Sequence, residues 1–461
     1  MAHAELRREL GATSAVMITV GSVIGSGIFL KPLDIARSLP SPAWIFGAWV
    51  TIGVICFCGA LAYAELGAML PEAGGMYAFI RESWGRFPAF LYGWCLMLVI
   101  SSGAVAALAV AFASSLATLV PLGANGQIAV AAAMILTLAL VNHFGVRWGA
   151  LLQNLSTTAK LLSLFGIVVA GFVMYRVVAG DIATRPDAAA VAAGELAPPG
   201  LLAGLIVASV AIFWAYEGWY SLPFNAAELK RPERDLPRGL ILGMLILVVT
   251  YTAVNAAYLH VVPLDEMRVM SSEPEVPKTV IARAFGVGAG DWLAILICMS
   301  TLGAANPNLL SSPRCFYAMA RDGVAFPALM RVHAVYGTPT VAIWAQALWS
   351  VALVIVLKTF RDITEYVVFA SLIFYGLAVA AVYLLRRRRP DAPRPYRCFG
   401  YPLTPAIFIA AVAFVDLYTL IDPRMRINAL YGLGILVLGA VVYFSTRLHQ
   451  GGSSTRLDRA A

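Results

Sequence analysis

The sequence predicts an all-α integral membrane protein of about twelve transmembrane helices, arranged as two blocks of five with a broken first member in each, followed by two more. Three observations predict this. The 461 residues are 60% hydrophobic and 13% charged, with a mean hydropathy of +0.80, whereas a soluble domain is about a quarter charged. The apolar runs are long and unbroken, which excludes the short alternating segments of a transmembrane β-barrel. Two runs carry glycines or a carboxylate at mid-depth, at the same place in each block of five. Disorder, nucleic-acid binding and a secreted disulfide scaffold are excluded by the same composition.

Charged and Pro/Gly-rich punctuation places helices at 11–38, 43–70, 86–119, 127–144, 149–178, 201–228, 237–262, 280–311, 339–358, 363–385, 404–421 and 427–447. The expected organisation is a cytoplasmic N-terminus at 1–10, a first repeat at 11–178, a second at 201–385, helices eleven and twelve at 404–447 and a cytoplasmic tail at 448–461. Sorting the 33 Lys and Arg by alternating loops puts 21 on the side of both termini and 11 on the other, with Lys160 inside a span. That excess predicts cytoplasmic termini and an even number of spans in a cell (inner or plasma) membrane, so the net charge of +8 reports orientation. The Arg386–Arg389 run anchors that orientation and is placed to touch anionic lipid. The six cysteines lie mostly in apolar runs without metal-ligand spacing. MAHAELRREL leads straight into a long apolar stretch, so no cleavable signal peptide is expected.

The chemistry concentrates at the two interruptions. Within GSVIGSGIFLKP, Gly25-Ser26-Gly27 weakens helix one where lipid most demands paired backbone groups. Unwinding there frees amides at the positive end of a half-helix to hold a carboxylate, and leaves carbonyls around Ser22 and Val23 to accept from an ammonium. The alternative is a close helix-packing motif of small residues. Within IFWAYEGWYSLPF, the carbonyls of Phe213, Trp214 and Ala215 are further acceptors, and Trp214 is placed to cap the site as a gate. Glu217 either lines the site, bonds the unwound backbone or is solvated in a vestibule. Lys160 either occupies a buried position beside the first break, where an ion-coupled relative of such a fold holds sodium, or snorkels to the surface. The segments 62–82 and 225–239 read either as ordered gating loops able to form salt bridges or as merely solvated loops. Broken helices at corresponding places in two halves point to a secondary transporter with a binding site at the midplane.

GSVIGSGIFLKP, YAELGAMLPEAGGMYAFIRE, TTAKLLSLFGIVVAG, FWAYEGWYSLPFNAAELKRPERDLPRG and STLGAANPNLLSSPRCFYAMARDG resemble, in order, segments of the amino acid, polyamine and organocation superfamily. They are most similar to its L-type amino acid transporters, bacterial members included. The resemblance spans about residues 11 to 447 and implies a LeuT-like five-plus-five inverted-repeat fold with helices eleven and twelve outside the core. It also implies sodium-independent amino acid transport, often by obligatory exchange. Carried over by position, Ser26 and Gly27 match residues whose amides hold the substrate carboxylate, and Val23 and Trp214 match those whose carbonyls take the amino group. Lys160 matches a lysine that ties the unwound first helix to helix eight in place of sodium. Trp214 stands where the family often has a Phe gate, and Glu217 departs from a Gly common there, beside the side-chain pocket. The eukaryotic members' heavy-chain cysteine has no counterpart in VPLGANGQ, so no disulfide-linked heavy chain is expected.

The resulting expectation is a membrane-embedded exchanger of neutral L-amino acids working by alternating access. The alternatives are a proton-coupled symporter of amino acids, cationic amino acids or polyamines, with Glu217 or Lys160 titrating, and an amino-acid-binding receptor without turnover. No phosphate loop, HExxH, GxSxG or paired-carboxylate set occurs, so no enzyme, cofactor, metal or nucleic-acid partner is expected.

Overall fold

The computed structural model describes residues 8–72, 74–174, 200–270, 275–357, 360–423 and 426–446. Ten of its described helices are long and apolar enough to cross a membrane: Ala12–Leu30, Pro42–Met69, Arg86–Leu116, Ala124–His143, Leu151–Met174, Leu201–Glu228, Pro232–Val261, Asp291–Arg321, Val367–Arg388 and Leu403–Ile421. Two shorter apolar helices, Thr340–Val356 and Ala429–Ser445, take the ninth and twelfth places. The order is thus the expected twelve, here called spans one to twelve. The near end of the bundle is where span one begins, and the far end lies opposite.

Several boundaries depart from the sequence reading for identifiable reasons. Span one is three pieces, Ala12–Val23, Gly27–Leu30 and Pro32–Ser38, because Pro32 lacks the amide that would continue the ladder and restarts it at its first turn. Span seven begins five residues early, at Pro232, for the same reason. The run expected at 280–311 is two helices, Glu275–Phe285 and Gly290–Ser311, separated by Gly286 at φ 93°. Span eight then continues through Pro313–Arg321. A π-helical turn at Leu96–Ile100 interrupts span three, and nothing in its sequence marks it. The predicted end of span five, beyond Met174, and the tail from 447 lie outside the described residues.

Spans one and seven pack closely because span seven presents Gly239 and Gly243 on one face. A Cβ on Gly239 would lie 2.8 Å from the Ala15 Cβ, and one on Gly243 would lie 2.6 Å from the Thr19 methyl. Small residues one turn apart let backbones approach where water supplies no driving force. Span one also contacts spans five and eight, and span two lies along span seven.

Both ends are closed by arginines, in different ways. At the far end Arg37 donates to the carbonyls of Arg268 (3.1 Å) and Met270, while Arg268 donates to those of Ala36 (3.2 Å) and Leu39 (2.8 Å). This reciprocal clasp joins the end of span one to the Leu264–Val269 helix after span seven. At the near end the partners are carboxylates, as the two mixed-charge segments suggest. Arg81 meets Glu72 at 2.6 Å, Glu82 at 3.0 Å and Asp322 at 2.5 Å. Burial would raise the Glu82 carboxyl, but bonds from Arg389 and Arg81 hold it below its ordinary value. Glu65 accepts from Arg386 at 2.6 Å and from the Cys398 amide at 2.6 Å, which straps the segment between spans ten and eleven under span two.

The most deeply buried of these pairs is Arg314–Glu228 at 2.9 Å, with side chains 1% and 0% exposed. Removing one member leaves the other charge without compensation. Arg314→Met should therefore lower stability by about 3–5 kcal/mol, and adding Glu228→Gln should recover most of the loss. Thermal unfolding in detergent reads both, and equal losses in the single and double variants would contradict a paired role.

Candidate functional site

The last regular bond of the first half of span one runs from the Ile24 amide to Val20 O (3.0 Å). Residues 24–26 are bent rather than helical, and the helix restarts at Gly27. The unwound stretch therefore falls one residue earlier than the glycine pattern suggests. It leaves carbonyls at 21–25 without their usual acceptor role, and three side chains from three other spans supply donors. Lys160 of span five, 2% exposed, donates its Nζ to Gly21 O (2.9 Å) and Ile24 O (2.6 Å). Ser300 of span eight donates to Gly25 O at 2.9 Å. Tyr251 of span seven lies within hydrogen-bond reach of Val23 O at 3.1 Å and of Ala215 O at 3.0 Å.

Tyr251 thus bridges both breaks with one hydroxyl. The second break follows Leu201–Ala215: the Tyr216 amide completes the helix on Ile212 O (2.9 Å), and the Glu217 amide turns back to Trp214 O (3.0 Å). Gly218 then takes φ 110°, in the left-handed region that favours glycine, before a 3₁₀ segment at Trp219–Glu228.

The two breaks touch. A Cβ on Gly27 would lie 2.5 Å from Ala215 Cα, and one on Gly218 would lie 2.6 Å from Ser22 O. Gly25 faces Leu108 of span three and Ala304 of span eight, which a Cβ would meet at 3.3 and 3.2 Å. Around this junction the amides of Gly25, Ser26 and Gly27 donate to no backbone acceptor among the described residues. The buried Ser26 hydroxyl has no hydrogen-bond partner. Free amides and an orphaned hydroxyl at a half-helix start make an anion-binding arrangement.

Of the residues singled out in the sequence, Ser22, Val23, Gly25, Ser26, Gly27, Phe213, Trp214 and Ala215 are buried along these two segments. The Ser22 hydroxyl is spent on Ile18 O at 2.5 Å. Lys160 does not snorkel. Glu217 departs from one expected role: its carboxylate accepts from the Tyr375 hydroxyl of span ten, with the hydroxyls of Tyr220 and Ser371 flanking it. It is caged by side chains rather than by the unwound backbone. Tyr251, Ser300 and Tyr375 escaped the sequence reading, because a hydroxyl in an apolar run carries no local sign of the distant carbonyl it serves.

Comparison with known proteins gives a consistent picture. A family model described as amino acid permease matches residues 10–442. The serine/threonine exchanger SteT of Bacillus subtilis (strain 168) is 31% identical over 453 residues, covering 96% of this chain and 97% of its own length. The large neutral amino acids transporter small subunit 2 of Mus musculus is 32% identical over 447 residues, 95% of this chain and 81% of its own. The human b(0,+)-type amino acid transporter 1 is 28% identical over 453 residues, 95% and 88% of the two chains.

The contact at Gly27 gives a direct expectation. Gly27→Ala forces the two breaks apart or strains them, with a cost of about 1–3 kcal/mol, whereas Gly47→Ala, whose Cβ meets nothing within 4 Å, should cost nothing comparable. Unfolding temperatures of the two variants decide it; indistinguishable values would mean the breaks are not in tight contact.

Proposed function

The chain belongs to the amino acid permease family, and we propose from that premise that it is a secondary transporter exchanging neutral L-amino acids by alternating access without sodium. The observation that carries this reading is the junction of two helix breaks, with unpaired amides at Gly25–Gly27 beside carbonyls at 21–25 and 215. A zwitterion has the complementary chemistry: its carboxylate fits the Ser26 and Gly27 amides, and its ammonium fits carbonyls such as those of Val23, Phe213 and Trp214. Trp214 closes over the bound molecule, and Glu217 borders its side chain. The relatives named as an exchanger and as transporters support both the substrate class and the exchange mode.

Lys160 holds Gly21 O and Ile24 O through its Nζ, which takes the place of a coupling cation and supports sodium independence. The two five-helix blocks at 11–178 and 201–385 act as opposed repeats, with both termini cytoplasmic in a cell membrane. The missing cysteine after span three supports function without a disulfide-linked heavy chain. Ligand-driven switching then follows from differential contacts in the two access states.

Uptake of a panel of labelled amino acids into proteoliposomes, preloaded or empty and with or without sodium, tests the reading. Trans-stimulated uptake indifferent to sodium is the expected result; binding without flux would leave only a receptor. Lys160→Ala should fold yet lose transport by at least about tenfold, the effect of roughly 1.4 kcal/mol. Uptake like that of the unaltered protein would remove the cation-substitute role.

A further inference from the structure

Glu217 sits in an unusual shell. Among residues 211–220 it alone is half-buried, while Tyr216, Trp219 and Tyr220 are buried. No lysine, arginine or histidine forms an ion pair with it among the described residues. The titratable groups that feel its charge are Cys56 and Tyr63 of span two, Tyr92 of span three, Tyr220 of span six and Tyr375 of span ten. Span eleven brings Phe408 against Trp219 and Val412 against Gly376, the neighbour of Tyr375. Two of the four phenols, Tyr63 and Tyr92, have buried hydroxyls with no hydrogen-bond partner, and the Tyr220 hydroxyl flanks the carboxylate. A carboxyl flanked by phenol hydroxyls is chemically equipped to hold or release a proton, since a phenol can donate to the anion or accept from the acid.

We infer that Glu217 is a proton-binding site whose occupancy sets the rate of the alternating-access step, an inference that rests on the transport reading above. The step is a simple protonation: the carboxylate takes one proton from water, and the new O–H donates to a phenol oxygen while the Tyr375 hydroxyl turns away. Its consequence follows from where the bond to Tyr375 lies. That bond ties the break of span six to span ten, so movement of one against the other must strip the carboxylate of its donor. An anion losing the Tyr375 donor at mid-membrane is strongly disfavoured, whereas a neutral acid is not. Turnover therefore proceeds through the protonated form.

Exchange of labelled amino acid, measured with equal pH inside and outside across about pH 5 to 9, should fall as pH rises, by up to about tenfold per unit above the midpoint. Glu217→Gln, a permanent stand-in for the neutral acid, should have a flat profile whatever its absolute rate. Tyr375→Phe removes a donor to the anion and should move the midpoint to higher pH. Difference infrared spectra of the purified protein should show a carboxylic C=O band that titrates and is absent in Glu217→Gln. That signal, seen without exchange, would fault the transport reading and leave the proton site standing. A flat profile in the unaltered protein, or a sloping one that survives in Glu217→Gln, would overturn the inference.

Discussion

The structure depends on satisfying backbone groups that two helix breaks release inside a lipid-embedded bundle. An unpaired amide or carbonyl there has no water to turn to, and each costs several kcal/mol. Lys160, Ser300 and Tyr251 reach in from spans five, eight and seven to serve the carbonyls. What they do not serve is the set of amides at Gly25–Gly27, and that asymmetry gives the junction its polarity. The protein gives donors to the carbonyls of Gly21, Val23, Ile24 and Gly25, each of which keeps acceptor capacity, and leaves the amides for something else.

The same constraint dictates the packing around the junction. Three donors can meet one unwound segment only if span one is surrounded closely, which Gly239 and Gly243 permit along span seven and Gly303 permits between spans five and eight. A Cβ on Gly303 would fall 2.6 Å from the Ser156 hydroxyl and 2.8 Å from Lys160 Cε. The glycines that break span one and those that let its neighbours approach therefore serve one purpose at different places.

Much of this was legible in the sequence. The spans follow from apolar length, Lys160 stands out because a cation in an apolar run needs acceptors, and the glycine interruptions mark where those acceptors arise. Less legible was anything that depends on two distant positions at once. Tyr251 reads as one more aromatic in a hydrophobic helix until Val23 O, 228 positions away, is placed beside it. Glu217 was recognisable as an anomaly, but its shell of phenols comes from four different spans. The boundaries that moved did so at Pro32, Pro232 and Gly286, where backbone chemistry overrides hydropathy.

The two closures described at opposite ends differ in kind. The Arg37–Arg268 clasp hands guanidinium protons to backbone carbonyls, with the exposed Asp265 its one carboxylate partner among the described residues. The Glu72–Arg81–Asp322 cluster opposes formal charges. Dissolved ions weaken attraction between partly exposed full charges far more than short charge–dipole bonds. Ionic strength therefore acts unequally on the two closures: raising it weakens the Glu72–Arg81–Asp322 cluster more than the carbonyl bonds of the Arg37–Arg268 clasp.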